Sequence, residues 1–303
     1  NNKKKGNIMS FSDYEVVQTK EGISLTGDVA STINRFYFIQ GLCAADPQNP
    51  TNPRDRQWYA ENVIDRLLQQ GEIDNGTRTP FDDRKLRIDG IIRIGDRLEI
   101  AVGSSHYAAF REDQQRSDED NRALQQKGLQ DFNDRWAYFQ RNPGVAGIVL
   151  SSTGSLYVGQ RTNTDATGKL NAVAGHMTYK KSSSDGDIVA DLHRKLQGEM
   201  GIESEEIVSL RFVGAYGHPL KGDMDFAWIV KTSLPDDYFS AQGAWHERRK
   251  SKEHEDLIRL TTQDEVKLLL EEGRIQGRDK IFQLMYSTRG ALENLNESDF
   301  RSL

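Results

Sequence analysis

Apolar residues recur at helical spacing between positions 184 and 202. When successive residues are placed about 100° apart, one stripe collects Ile188, Val189, Leu192, Leu196 and Met200. Ser184 stands three residues before Asp187, which is the spacing of a capping box, and Gly201 follows the last apolar residue. The pattern therefore predicts one amphipathic helix with a defined start and stop.

The rest of the chain alternates strand and helix signals. Strands are predicted at 23–26, 36–39, 208–216, 226–232 and 257–260, and hairpins at Leu86–Val102 and Gly144–Arg161. Helices are predicted at Arg54–Gln70, Gln263–Glu272 and Arg278–Tyr286. The charged segment Glu112–Gln140 is predicted to be an exposed helix or loop that docks by its aromatic end. This order favours an α/β fold with a mixed sheet packed between helices.

One charged residue falls inside the apolar stripe of the helix at 188–200. Glu199 projects between Ile188 and Leu192, where burial of an unpaired carboxylate is costly. Three explanations fit: an ion pair with Lys195 one turn earlier, a helix rolled slightly toward water, or a carboxylate bound to a metal.

The segment Arg194–Ile202 resembles the second half of the Nudix box. That motif reads Gly, five residues, Glu, seven residues, then Arg-Glu-aliphatic-any-Glu-Glu-any-Gly-aliphatic. The matching positions are Arg194, Leu196, Glu199, Gly201 and Ile202. The chain departs from the motif at Lys195 and Gly198, which replace two glutamates, at Gly186, which replaces the upstream glutamate, and at Lys180, which replaces the opening glycine.

Two further segments carry the same resemblance. The hairpin Gly144–Arg161 turns at Ser152–Ser155, ends in an arginine and leads to Ala172–Gly175, as the approach to the box does in Nudix domains. Leu98–Phe110 is similar to a segment of UDP-glucose diphosphatase-like members, which have an N-terminal extension. The resemblance implies a Nudix-type α/β/α sandwich with a mixed sheet at 141–303, preceded by an N-terminal α+β extension at 1–140.

Composition narrows the function classes. The chain has 303 residues, 36% of them hydrophobic, and a net charge of −6, which disfavours a nucleic-acid partner. Cys43 is the only cysteine, so an intramolecular disulfide and a multi-thiolate zinc site are excluded. No apolar run approaches the roughly 20 residues of a membrane span, and no signal peptide is visible. We therefore expect a cytoplasmic protein without a membrane partner, and a homo-oligomer is compatible with the sequence.

The resemblance also implies a chemistry. Family members hold Mg²⁺ or Mn²⁺ on carboxylates of the box helix and cut the diphosphate of a nucleoside diphosphate linked to another group. For this chain, the resemblance implies that Glu199 is a metal ligand and a catalytic residue, with Asp191 and Asp187 as substitute ligands. It also implies that Glu255 is a base and that Arg161 contacts a phosphate.

An alternative follows from the lost glutamates. Lys195 places a positive charge where the family has a metal ligand, and it could contact a phosphate itself. The chain would then bind a nucleotide-type ligand or a partner, as a sensor or scaffold without catalysis.

Overall fold

The computed structural model describes residues 16–18, 23–25, 35–71, 84–94, 97–162, 167–177 and 188–302. Within these residues the larger of two sheets has nine strands, with the order β1-β2-β10-β11-β6-β7-β12, β8 beside β7 and β9 beside β6. The strands are β1 (Val16–Gln18), β2 (Ile23–Leu25), β6 (Pro143–Leu150), β7 (Leu156–Arg161), β8 (Leu170–Asn171), β9 (Val173–His176), β10 (Ile207–Gly217), β11 (Met224–Thr232) and β12 (His254–Leu260). Strands β6 and β11 pair in parallel, and the other described pairs are antiparallel.

Helices cover both faces of this sheet. On one face, helix α5 (Ile188–Met200) buries its predicted apolar stripe against β6 and β11 in a core that contains Val145, Phe226 and Trp228. On the other face, α7 (Gln263–Glu272) and α8 (Tyr286–Glu293) pack over the alternate residues of the same strands. The prediction of an α/β/α sandwich with a mixed sheet is confirmed.

A second sheet lies on the α5 side of the core. It has the order β3-β5-β4, with β3 (Arg35–Gln40) parallel to β5 (Arg97–His106) and β4 (Arg84–Ile94) antiparallel to β5. Its apolar face joins the core of the larger sheet, where Phe36 packs edge-on against Phe212 with ring centroids 5.1 Å apart. The hairpin predicted at Leu86–Val102 is confirmed. The domain boundary at 140/141 stays a prediction.

The N-terminal half also contains the predicted helices. One continuous helical stretch runs through α1 (Arg56–Tyr59), a π-helical turn (Ala60–Ile64) and α2 (Asp65–Gln69). The charged segment forms α3 (Tyr107–Gln115) and α4 (Asp118–Phe132), and the aromatic end that follows is buried at Trp136, Tyr138 and Phe139.

Two boundaries near the C-terminus differ from the prediction. The helix predicted at Arg278–Tyr286 is wrong, because the backbone at 282–285 hydrogen-bonds to Gly273 and Leu170 and the helix α8 starts only at Tyr286. The charged loop before the last strand contains the short helix α6 (Trp245–Arg248), and β12 begins three residues earlier than predicted. Tertiary backbone pairing overrides local helical periodicity here.

The predicted stop of α5 is confirmed, and its predicted start at Ser184 and Asp187 lies outside the described residues. Gly201 has a φ of +68°, a left-handed conformation that glycine adopts without strain. A Cβ there would also lie 2.4 Å from Cβ of Arg248. No helix in the described part of the chain is long and apolar enough to cross a membrane.

A single carboxylate fixes the turn between β6 and β7. Asp236 accepts hydrogen bonds from hydroxyl groups of the turn and of β7 and from one guanidinium: Ser151, Thr153, Ser155, Tyr157 and Arg259. The loop after β11 is thereby tied to the hairpin that leads into the candidate site.

We expect Asp236→Ala to lower the free energy of unfolding by about 2–4 kcal/mol, because several buried hydroxyl donors lose their acceptor together. Urea denaturation measures the change. The neighbouring Asp237 is exposed, so Asp237→Ala is the matched control and should cost less than about 0.5 kcal/mol. Equal stability of the two variants would contradict this role of Asp236.

Candidate functional site

The candidate site lies at one end of the larger sheet, beside the C-terminal half of α5. Glu199 is buried there, with 2% of its surface exposed, as its position in the apolar stripe predicted. Its Oε2 lies 2.9 Å from Nε2 of His254 and accepts a hydrogen bond of 3.4 Å from the backbone N–H of Ala174. Its Oε1 lies 3.7 Å from Nζ of Lys195, so the ion pair considered from the sequence is present. The carboxylate therefore joins α5 to β9 and β12.

Two glycines make room for the partners of Glu199. A Cβ on Gly159 would lie 2.1 Å from Nδ1 of His254, and a Cβ on Gly175 would lie 2.2 Å from Cε and Nζ of Lys195. Both contacts are shorter than real Cβ atoms show, so the imidazole and the lysine chain rest on bare backbone. Gly159 is thus sterically required by the imidazole of His254, whereas a side chain at Gly175 would displace the flexible end of Lys195.

A β-bulge decides which residues of the 253–255 segment face the site. His254 pairs with Arg161 and Asp256 with Gln160, so Glu255 is the extra residue between them, and its side chain is exposed. Glu253 is half-buried instead; burial raises the pKa of its carboxyl, and the nearby charge of Glu199 raises it further. The role of Glu255 as a base stays a prediction, and the geometry brings Glu253 and His254 closer to Glu199.

His254 is the residue that sequence reasoning missed. No histidine spacing suggested a site, since the partner of His254 lies on α5, 55 positions away along the chain. The signal available was its place next to Glu253 at the start of a strand, on the side facing the core.

The predicted metal ligands do not converge in the described residues. Asp191 is buried, but its Oδ1 accepts from Nη2 of Arg194 at 3.0 Å, and Asp187 lies outside the described residues. Across the described ranges, no group of three or more His, Cys, Asp or Glu side chains is arranged to hold a metal ion. With Glu199 already engaged by an ammonium and an imidazole, these residues do not fit Mg²⁺ or Mn²⁺.

Several cationic side chains lie at this end of the larger sheet. We call this end the rim; it is formed by the ends of β7 and β9 and the starts of β6 and β11. The half-buried His176, at the end of β9, lies within electrostatic reach of three positive charges: Lys85, Lys195 and Arg161 at the end of β7. Burial together with these charges lowers the pKa of His176 to about 3, so its imidazole is neutral at physiological pH. Three cationic side chains thus lie on the α5 side of the sheet, beside the carboxyl groups of Glu199 and Glu253.

Carboxyl groups occupy the opposite side of the same rim, facing α8. Asp225 in β11 pairs with Gly144 in β6, where a Cβ would lie 1.9 Å from Oδ1 of Asp225. Burial raises the pKa of Asp225 to about 7 in spite of a hydrogen bond from Ser287, and nearby Asp223 adds to the rise. The positive charges of Arg161 and Lys195 lower the pKa of Asp225. This carboxyl is therefore within electrostatic reach of both cations.

No family model and no curated protein matches the chain. Among solved structures it is similar to a NUDIX-family hydrolase from Clostridium perfringens, with 11% identity over 50% of this chain and 95% of that one and a TM-score of 0.30. It is likewise similar to the NUDIX domain of Shewanella oneidensis NrtR, crystallised with ADP ribose, with 11% identity over 56% and 94% of the two chains and a TM-score of 0.31. A NUDIX hydrolase from Nitrosomonas europaea is 14% identical over 39% and 71%, with a TM-score of 0.27. Similarity at this level assigns neither a family nor an activity to the chain.

Replacing Asp225 by asparagine should change how stability depends on pH. Its folded-state pKa lies above the unfolded value, so the folded chain holds a proton that the unfolded chain releases between about pH 4 and pH 7. That contribution is full below pH 4 and is lost as pH rises through 7. We therefore expect the unfolding free energy of Asp225→Asn, relative to the parent, to increase from pH 4.5 to pH 8 in urea titrations. A constant difference would contradict the raised pKa.

Proposed function

We propose that this site binds the diphosphate of a nucleotide-type small molecule without a divalent metal and without hydrolysing it. The observation that carries the proposal is the ammonium of Lys195, 3.7 Å from the one carboxylate that remains of the resembled motif's core. In the resemblance, a metal ligand occupies the position of Lys195. Here the positive charge of a bound cation is replaced by a covalently attached one.

The surroundings of Lys195 support this exchange. A dication near Glu199 would be repelled by Lys195 and by Arg161, whereas a phosphate would be attracted by both. Arginine presents a planar fork that suits two phosphate oxygens, and lysine supplies a compact point charge. Glu199 then acts as the residue that positions Lys195, because their ion pair and the backbone of Gly175 limit where the ammonium can lie.

A second candidate is the metal-dependent hydrolysis that the resemblance implies. One observation favours it: Glu253 and Glu199 lie close enough for their charges to interact, and a dication would relieve that repulsion. Under this alternative Glu199 is a ligand and Lys195 must move aside. The extent of the domain that holds the site, 141–303, is part of the same proposal.

We expect pyrophosphate, ADP-ribose or UDP-glucose to bind in the presence of EDTA, measured by isothermal titration calorimetry. Lys195→Met should weaken binding at least about tenfold, since it removes one charge while keeping a chain of similar length over Gly175. Lys252 is exposed on the adjoining loop, and Lys252→Met is the matched control with affinity near that of the parent. A strict requirement for Mg²⁺ in binding would overturn the metal-free proposal.

The hydrolytic alternative has its own readout. The same compounds are incubated with Mg²⁺ or Mn²⁺, and release of nucleoside monophosphate is followed. Product that disappears in Glu199→Gln, a variant that keeps the shape of the side chain, would establish the second candidate in place of the first. Absence of product together with binding in EDTA is the outcome we expect.

A further inference from the structure

The side of the rim that faces α8 contains polar groups that phosphate binding does not use. Asp225 lies in β11 and Asp223 immediately precedes this strand. Both side chains contact α8, since Asp225 accepts a hydrogen bond from Ser287 and Asp223 accepts one from Tyr286. Asp223 is 7% exposed and accepts a hydrogen bond from the hydroxyl of Tyr286 at its Oδ2. Its Oδ1 is buried without a hydrogen-bond partner among the described residues.

A ligand group that donates several hydrogen bonds would suit the unpaired Oδ1 of Asp223 and the neighbouring carboxyl of Asp225. A buried polar atom without a partner is costly, and each such atom in a native fold needs an explanation. A primary ammonium carries three N–H donors and a positive charge, which matches two neighbouring carboxyls. A dication fits less well, since no group of three His, Cys, Asp or Glu is arranged for a metal anywhere in the described ranges.

Among the described residues, no cationic side chain donates a hydrogen bond to Oδ1 of Asp223. Lys221 donates from Nζ to the backbone oxygen and the side-chain oxygen of Gln114. Burial lowers the pKa of His218, which disfavours a positive charge on this imidazole beside Asp223. Arg161 and Lys195 act on Asp225 from the α5 side, where the proposed phosphate site lies.

We propose that Asp223 and Asp225 bind a primary ammonium group, so that the ligand of this site is a diphosphate ester that also carries an amine. The proposal rests on the proposed function, because Arg161 and Lys195 hold the diphosphate of the same molecule. Asp225, half-buried at the rim, meets the ammonium directly. Asp223 lies behind it and contributes Oδ1, which has no hydrogen-bond partner among the described residues.

Binding of an ammonium has a consequence that binding of an uncharged group lacks. The Asp225 carboxyl, with its pKa near 7, must lose its proton to pair with the cation. The groups that face it are Asp223 from its own strand, Ser287 and Tyr286 from α8, and Arg161 and Lys195 from the α5 side. Ligand binding should therefore release protons at neutral pH, and the amine should bind more tightly as pH rises from 6 to 8.

The test compares 2-aminoethyl diphosphate with propyl diphosphate, which has a methyl group in place of the ammonium. Calorimetry at pH 7.0 in HEPES and in Tris gives the affinities and the protons released. We expect the amine to bind at least about fivefold more tightly and to release about half a proton more than propyl diphosphate, since a group titrates halfway at its pKa.

Asp225→Asn should reduce the preference to less than about twofold and abolish the extra proton release, while pyrophosphate still binds. Asparagine retains the shape of the side chain and an oxygen that can accept from Ser287. Asp256→Asn, at a half-buried carboxyl of β12, is the matched control and should keep the preference.

The outcomes separate this inference from the function it rests on. Pyrophosphate binding with equal affinity for the two esters in the parent would overturn the ammonium site and leave the phosphate site standing. A preference that persists unchanged in Asp225→Asn would likewise overturn the assignment to these carboxyls. Failure of pyrophosphate and both esters to bind would overturn the two proposals together.

Discussion

The cost of burying one carboxylate organises the functional end of this molecule. Glu199 lies inside the apolar face of α5 with 2% of its surface exposed, and an unpaired charge there would be destabilising by several kcal/mol. Three groups stabilise this carboxylate: the ammonium of Lys195 on the same helix, the imidazole of His254 in β12 and the backbone N–H of Ala174 in β9. Each of these partners imposes a further constraint, so the geometry of two strands and one helix depends on a single side chain.

The side chains that contact Glu199 also restrict the backbone around them. His254 reaches Glu199 only because Gly159 has no side chain, and the absence of a side chain at Gly175 leaves room for the end of Lys195. The bulge in β12 then turns His254 inward and Glu255 outward within two residues. Bulges at sheet edges commonly re-aim side chains near functional sites, and here the bulge is what separates a candidate site residue from an exposed one.

The end of the sheet divides its charges between its two faces. Cationic groups lie toward α5, and carboxyl groups lie toward α8, with Gly144 and Gly175 allowing close approach at the rim. Parallel pairing of β6 with β11 is the reason these groups meet, since it places Asp225 opposite Gly144 at the start of both strands. A ligand that bridges the rim would experience opposite potentials at its two ends, which favours a dipolar molecule over a simple anion.

How far the sequence predicts the molecule depends on whether the signal is local. The periodicity of Ile188 to Met200 was enough to give α5 and to place Glu199 in the buried face, because helical spacing is a property of the segment alone. The contact of His254 with Glu199 was not predictable in this way, since it depends on strand register and on the bulge. The same reason explains the misplaced last helix, where backbone pairing with Leu170 and Gly273 keeps residues 282–285 extended.

Lys195 shows why a resembled motif is weaker than the geometry around it. Read as a motif position, it is a missing metal ligand, and the natural expectation is a search for a substitute carboxylate. Its contacts give a different account: the lysine chain lies over Gly175 and its ammonium lies 3.7 Å from Oε1 of Glu199, so the positive charge next to this carboxylate comes from the protein itself. A fixed cation needs no octahedral ligand set, and Lys195 compensates the charge of Glu199 while Asp191 pairs with Arg194.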